Sequence, residues 1–114
     1  MVLPSIYVAG SLRNVENGFE LSFYNNLTDT VIVAPIELKV DGIAMDTNLT
    51  FIRIRDKEIK SGEISLSNPL TFSKNDRMII FVSGTKLPEG VHRIDVKTNI
   101  QGFGEVSFTV QDQI

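Results

Sequence analysis

The 114-residue sequence contains no cysteine, no tryptophan and a single histidine. Without cysteine there can be no disulfides, thiolate metal ligands or cysteine nucleophiles, which fits a reducing compartment. The lone His92 leaves few ways to build a metal site or an acid/base pair, because both draw on convergent His, Asp and Glu side chains. No apolar run reaches membrane-spanning length, and the opening "MVLPSIYVAG" lacks a basic region and is interrupted by Pro4. Clustered positive charge is also missing. The 11 Lys and Arg are interspersed with 14 Asp and Glu, for a net charge of −3, which argues against nucleic acid. The expectation is a soluble, cytoplasmic protein with neither a nucleic-acid nor a membrane partner. Asn26-Leu27-Thr28 and Asn48-Leu49-Thr50 match the glycosylation acceptor pattern, but with no leader ahead of them they read as chance.

At 114 residues and 42% hydrophobic composition the chain fits one domain, residues 1–114, with an ordinary core. Turn chemistry punctuates it regularly, at Asn17-Gly18, Asp41-Gly42, Ser61-Gly62, Asn75-Asp76, Ser83-Gly84, Glu89-Gly90 and the Gly102/Gly104 pair. Between turns the apolar residues recur at every second position, which places them on one side of a pleated strand. Phe19, Leu21 and Phe23 form one such set; Ile36, Leu38 and Val40 another. Ile52 with Ile54, Ile94 with Val96, and Val106, Phe108 and Val110 continue the series. No helical stripe stands out, although Asp56 to Gly62 could hold one loose turn, and the closing "QDQI" is expected to fray. Roughly seven to nine short strands of this kind predict an all-β, antiparallel, immunoglobulin-like sandwich.

Three segments break the half-polar rule. "SIYVAG", "TVIVAPI" and "RMIIFVSG" are apolar on both parities, whereas a strand in a two-layer sandwich shows water one face. Either a loop or another protein chain must cover the second face. In "RMIIFV", Met78, Ile80 and Val82 point one way and Ile79 and Phe81 the other, so one set is core and the other a candidate partner contact.

Catalytic signatures are absent from the pattern. His92 shares the parity of Ile94 and Val96 just after the Glu89-Gly90 turn, which predicts a residue that caps the core and bonds to backbone. The serines sit outside any Gly-x-Ser-x-Gly elbow, and the acidic residues are scattered. Gly102-Phe103-Gly104 lacks the strand-to-helix setting of a phosphate loop and reads as a hairpin. Arg53, Arg55 and Lys57 could form a short basic row along one strand, read as a solvated face. No catalytic or metal-ligating residue is assigned.

Four pieces in order, "SLRNVENGFELSFYNNL", "IELKVDG", "LTFSKNDRMIIFV" and "KLPEGVHRIDV", resemble the small β subunit of bacterial C-glycoside deglycosidases. The resemblance implies a non-catalytic β-sandwich subunit of a hetero-oligomeric carbon-carbon lyase that cleaves 3-oxo-sugar C-glycosides. It also implies a larger TIM-barrel catalytic partner that carries the divalent metal, typically manganese, with no cofactor on this chain. Arg13, Asn14, Tyr24, Ile79 and Phe81 are the candidate partner contacts. A free-standing immunoglobulin-like binding or structural module is the alternative. Discrimination between the two rests on what accompanies the chain.

Overall fold

Alternation of period two becomes two antiparallel sheets in the computed structural model, which describes residues 6–114. The strands are β1 (Arg13–Val15), β2 (Gly18–Tyr24), β3 (Thr30–Ile32), β4 (Glu37–Val40), β5 (Ile43–Ala44), β6 (Thr50–Ile54), β7 (Lys57–Lys60), β8 (Leu70–Phe72), β9 (Arg77–Ser83), β10 (Val91–Ile100) and β11 (Gly104–Gln113). One sheet runs β1-β2-β9-β6-β7 and the other β5-β4-β10-β3-β8, with β11 on the opposite edge of β10. The all-β antiparallel reading holds. The strands are more numerous than expected because turns fold short pieces back: Asp41 (φ 51) and Gly42 (φ 85) return β4 into the two-residue β5.

The inward parities are those that the alternation requires. Phe19, Leu21 and Phe23 of β2, Ile52 and Ile54 of β6, and Met78, Ile80 and Val82 of β9 are buried from one sheet. Leu38 and Val40 of β4, with Ile94 and Val96 of β10, are buried from the other. Together they form one hydrophobic cluster. Burial of each such side chain stabilises by about 1.5–3 kcal/mol, so the period-two pattern sets which face each strand turns inward.

Several expectations change on contact with the structure. Asp56 to Gly62 forms β7 followed by a 3₁₀ turn at Ser61–Glu63, held where the buried Ser61 hydroxyl donates to the Ile36 carbonyl at 2.6 Å. Arg53, Arg55 and Lys57 are not a row along one strand, because Arg55 adopts φ 56 and divides β6 from β7. Its guanidinium turns to the buried Asp76 at 2.7 Å, and Arg53 pairs with Glu58 at 3.5 Å. Of "TVIVAPI" only Thr30–Ile32 is strand; the loop that follows is tied to β10 by Val33 N–H to Asn99 O, 3.0 Å, and by the Thr98 hydroxyl to Ala34 O, 2.9 Å. Of "SIYVAG", Ser5 lies outside the described residues, as do Met1 to Pro4; Tyr7 makes an isolated bridge with Phe23.

The C-terminus does not fray. β11 pairs with β10 over its whole length, and Ile114 exchanges both backbone hydrogen bonds with Gly90, at 3.0 and 3.1 Å. Asp112 locks the same end. One of its carboxylate oxygens accepts from the Tyr7 hydroxyl at 2.5 Å, Gly10 N–H at 2.9 Å and Leu12 N–H at 3.3 Å. Burial alone would raise this carboxyl's pKa, but the Tyr7, Gln113, Leu12 and Gly10 donors together outweigh it and hold the pKa below the ordinary carboxylate value. Burial and the neighbouring carboxylate push the Tyr7 phenol well above its usual range. Asp112→Ala strands those donors and should lower stability by about 1–3 kcal/mol in denaturant unfolding, with faster amide exchange at Gly10 and Leu12. Unchanged stability and exchange would show that the latch contributes nothing.

Candidate functional site

The outer face of the five-stranded sheet carries four of the five candidate contacts. Cross-strand register aligns Arg13, Glu20, Phe81, Phe51 and Lys60 in one row across all of its strands. The next row aligns Ser22, Ile79, Arg53 and Glu58, and Tyr24 lies opposite Arg77 beyond it. The middle of this face is therefore apolar and its margin charged. Phe51 and Phe81 pack with ring centroids 6.2 Å apart, tilted by 32°, and remain half-buried together with Ile79. Arg13 meets Glu20 at 3.4 Å, an exposed pair worth little by itself.

Gly18 supports the arrangement. A Cβ there would collide with the Val82 carbonyl and sit 2.9 Å from the Phe81 ring, so the ring lies over a position that only glycine leaves open. Tyr24 is exposed, and its hydroxyl donates to Asn75 Oδ1 at 3.1 Å. Asn14 stands apart. It lies opposite inward-facing Phe19, and its amide is engaged on both sides by the Leu87 backbone, at 2.8 Å each way, clamping β1 to the loop before β10. Phe51 was overlooked in the sequence. Its signal was the parity it shares with Arg53, opposite buried Ile52 and Ile54.

His92 is buried, as its parity implies, and bonds to backbone at the Pro88 carbonyl, 2.7 Å from Nε2. The other nitrogen, Nδ1, lies 2.7 Å from Asp41 Oδ2, a partner 51 residues away. A carbonyl and a carboxylate are both acceptors, so the two bonds form together only when the ring is the imidazolium, which donates from both nitrogens. The Asp41 hydrogen bond, then that of Pro88, raises the histidine pKa above its ordinary value against the opposing effect of burial. The Arg93 backbone N–H, then His92, lowers that of Asp41. Asp41 thus ties the β4–β5 turn to the start of β10 through a charged pair and through Arg93 N–H at 2.9 Å.

Among the described residues no three His, Cys, Asp or Glu side chains converge as a metal site would require. Between the sheets an apolar crevice of ≈ 60 Å³ is bordered by Phe23, Ile32, Leu27, Val106 and Phe108. That is room for a few waters, well below the roughly 300–1,000 Å³ of pockets that take organic ligands. No helix among the described residues is long and apolar enough to cross a membrane.

Fold and site together define a β-sandwich domain whose titratable clusters brace its loops and whose apolar sheet face is rimmed by charge. The model of the family described as hydroxymethylglutaryl-CoA reductase, N-terminal domain, matches residues 2–114, and the chain belongs to that family. No curated protein matches the chain. The family match overturns the resemblance to the small subunit of C-glycoside deglycosidases, and with it the lyase and sugar-processing reading. Several of the residues that carried the resemblance do general sandwich work. Asn17-Gly18 turns β1 into β2, Asn14 clamps Leu87, and Pro88 and His92 bond to each other.

The histidine makes a direct test possible, since its NMR signals stand alone. Its folded pKa is raised, so the stability it contributes is fully present below the unfolded value of about 6.5 and is lost as pH rises through the folded value. Asp41 has the opposite sign: its contribution is present above about pH 3.9 and is lost as pH falls through its lowered folded value. Thermal unfolding should therefore show the pair's full effect between about pH 4 and 6.5. Asp41→Asn should flatten the alkaline limb and return His92 toward its ordinary titration. A wild-type His92 titrating at or below about 6.5 would contradict the imidazolium assignment.

Proposed function

We propose that this chain is a non-catalytic β-sandwich module that docks on the catalytic region of a hydroxymethylglutaryl-CoA reductase through the outer face of the five-stranded sheet. Membership of the family supports the choice of partner, and one observation supports the surface: the half-buried Phe51, Phe81 and Ile79 at the centre of a face edged by Arg13, Arg53, Lys60 and Arg77. An apolar centre within a polar rim is the anatomy of a specific protein interface. The larger catalytic partner expected from the sequence enters this proposal as the reductase catalytic region. In this reading the chain positions or stabilises that region, and His92 and Asp112 serve the module's own fold.

Mutation can separate the two faces of β9. Ile80→Lys buries an unpaired charge in the core and should destabilise the domain by several kcal/mol, enough to abolish folding. Phe81→Lys places the charge on the outer face, where the lysine stem can still cover Gly18, and should melt within a few degrees of wild type. The measurement is co-purification of each variant with the reductase catalytic region of the same organism. Wild type should co-elute and folded Phe81→Lys should not. Co-elution of both would remove this face from the interface, and turnover of hydroxymethylglutaryl-CoA by the isolated chain would contradict a non-catalytic module.

A further inference from the structure

Among the described residues β11, ten residues long, pairs with β10 alone and so leaves one edge of the second sheet open. Gly90 and Ile114 exchange both of their backbone hydrogen bonds, which fixes the phase of the whole hairpin. In an antiparallel ladder bonded and non-bonded pairs alternate, so even-numbered β11 residues bond to β10 and odd-numbered ones turn N–H and C=O outward. Gln113 N–H is taken by Asp112, whereas those of Glu105, Ser107, Thr109 and Gln111 find no acceptor among the described residues. Exposed edges of this length are usually blunted by proline, lysine, bulges or shortness. β11 has none of these; its only charges are Glu105, which pairs with Lys97 at 3.6 Å, and Asp112, whose carboxylate is taken up by Tyr7, both near the strand's ends.

We infer that β11 is a self-association edge, which pairs antiparallel with β11 of a second copy across a two-fold axis at Phe108. This does not depend on the reductase reading, which concerns the other sheet. The register follows from chemistry. Ser107 then faces Thr109 of the second copy, a hydroxyl pair suited to cross-strand contact. Glu105 faces Gln111, so the single acidic residue of each edge meets a neutral amide and the two carboxylates lie at opposite ends. On the inner side Phe108 meets its own copy in the closely spaced, non-bonded pairing.

A second observation points to the same edge. Val106 and Phe108 are half-buried and border the apolar crevice between the sheets, with Phe108 packed edge-on to Phe23 at 6.0 Å. A strand added to β11 covers those two side chains while satisfying the free amides. A second copy suits the edge because this register sets no like charges opposite each other and a C2 contact uses the same residues twice.

The full chain should sediment at tens of micromolar with a mass near twice 12.7 kDa. Ser107→Pro removes an outward N–H at an edge position that accepts proline, and should weaken association by more than about tenfold while leaving circular dichroism unchanged. If that variant fails to fold, exchange decides: Ser107 and Thr109 amides should be protected at high concentration and exposed on dilution. Because the chain has no cysteine, Phe108→Cys should form a disulfide-linked dimer on mild oxidation, the cross-strand Cα spacing of about 4.5 Å being within bonding range. A wild-type chain that stays monomeric at several hundred micromolar overturns the inference. So does a dimer that Ser107→Pro leaves intact, or edge amides whose protection is independent of concentration.

Discussion

β9 is hydrogen-bonded along both edges and apolar on both faces, and the placing of the rest of the domain depends on holding it in one register. A slip of one residue would exchange Met78, Ile80 and Val82 in the core for Ile79 and Phe81, at a smaller hydrophobic penalty than an alternating strand would suffer. Local geometry supplies the missing specificity. Only Gly18 admits the Phe81 ring, Gly84 N–H closes on Asn17 O at 2.7 Å, and at the other end Asn25 exchanges backbone bonds with Asn75 and Asp76 at 2.7 and 2.9 Å. The strand is pinned at its two turns and one glycine, leaving its outer residues free to be apolar.

The same economy appears in the polar residues. Several buried or half-buried polar clusters join segments distant in sequence: Asp112 to Tyr7, Asn14 to Leu87, Asp41 to His92, Asp76 to Arg55. Asn25 is 3% exposed and uses both amide donors, to Thr28 O and Phe72 O, while its oxygen accepts from Leu27 N–H. Among the described residues no buried side-chain nitrogen or oxygen lacks a partner. An active site commonly keeps polar groups whose capacity awaits a substrate. Here that capacity is directed at loops, a reason to look for function on surfaces.

The architecture was legible because parity is a local signal: Phe19, Leu21 and Phe23 state their common face within five residues, as do Ile94 and Val96 with His92. The braces were not legible. His92 and Asp41 are separated by 51 residues and Tyr7 and Asp112 by 105, and alternation says which face a residue takes but not which loop arrives above it. The candidate surface was half legible. Ile79 and Phe81 declared themselves by excess apolarity, whereas Phe51 needed the β6–β9 register to bring it alongside. Family assignment failed for a related reason. The turn at Pro88-Glu89-Gly90 and the strand opening at His92 fulfil structural needs that unrelated sandwiches share, so likeness there follows architecture and carries little about chemistry.

The two exposed features differ in how they can bind. The outer face of the first sheet has all its central strands paired, so it offers side chains only, and a partner must match the Phe51–Phe81–Ile79 surface in shape. The β11 edge offers main chain, where alternate residues must be met by another strand's N–H and C=O and side chains serve mainly to choose register. Face and edge lie on different sheets, and one chain can use both without either partner displacing the other. A dimer through β11 would carry two copies of the five-stranded face, related by the same two-fold axis. Two weak docking events would then act as one stronger event wherever the spacing of the partner sites matches that of the faces.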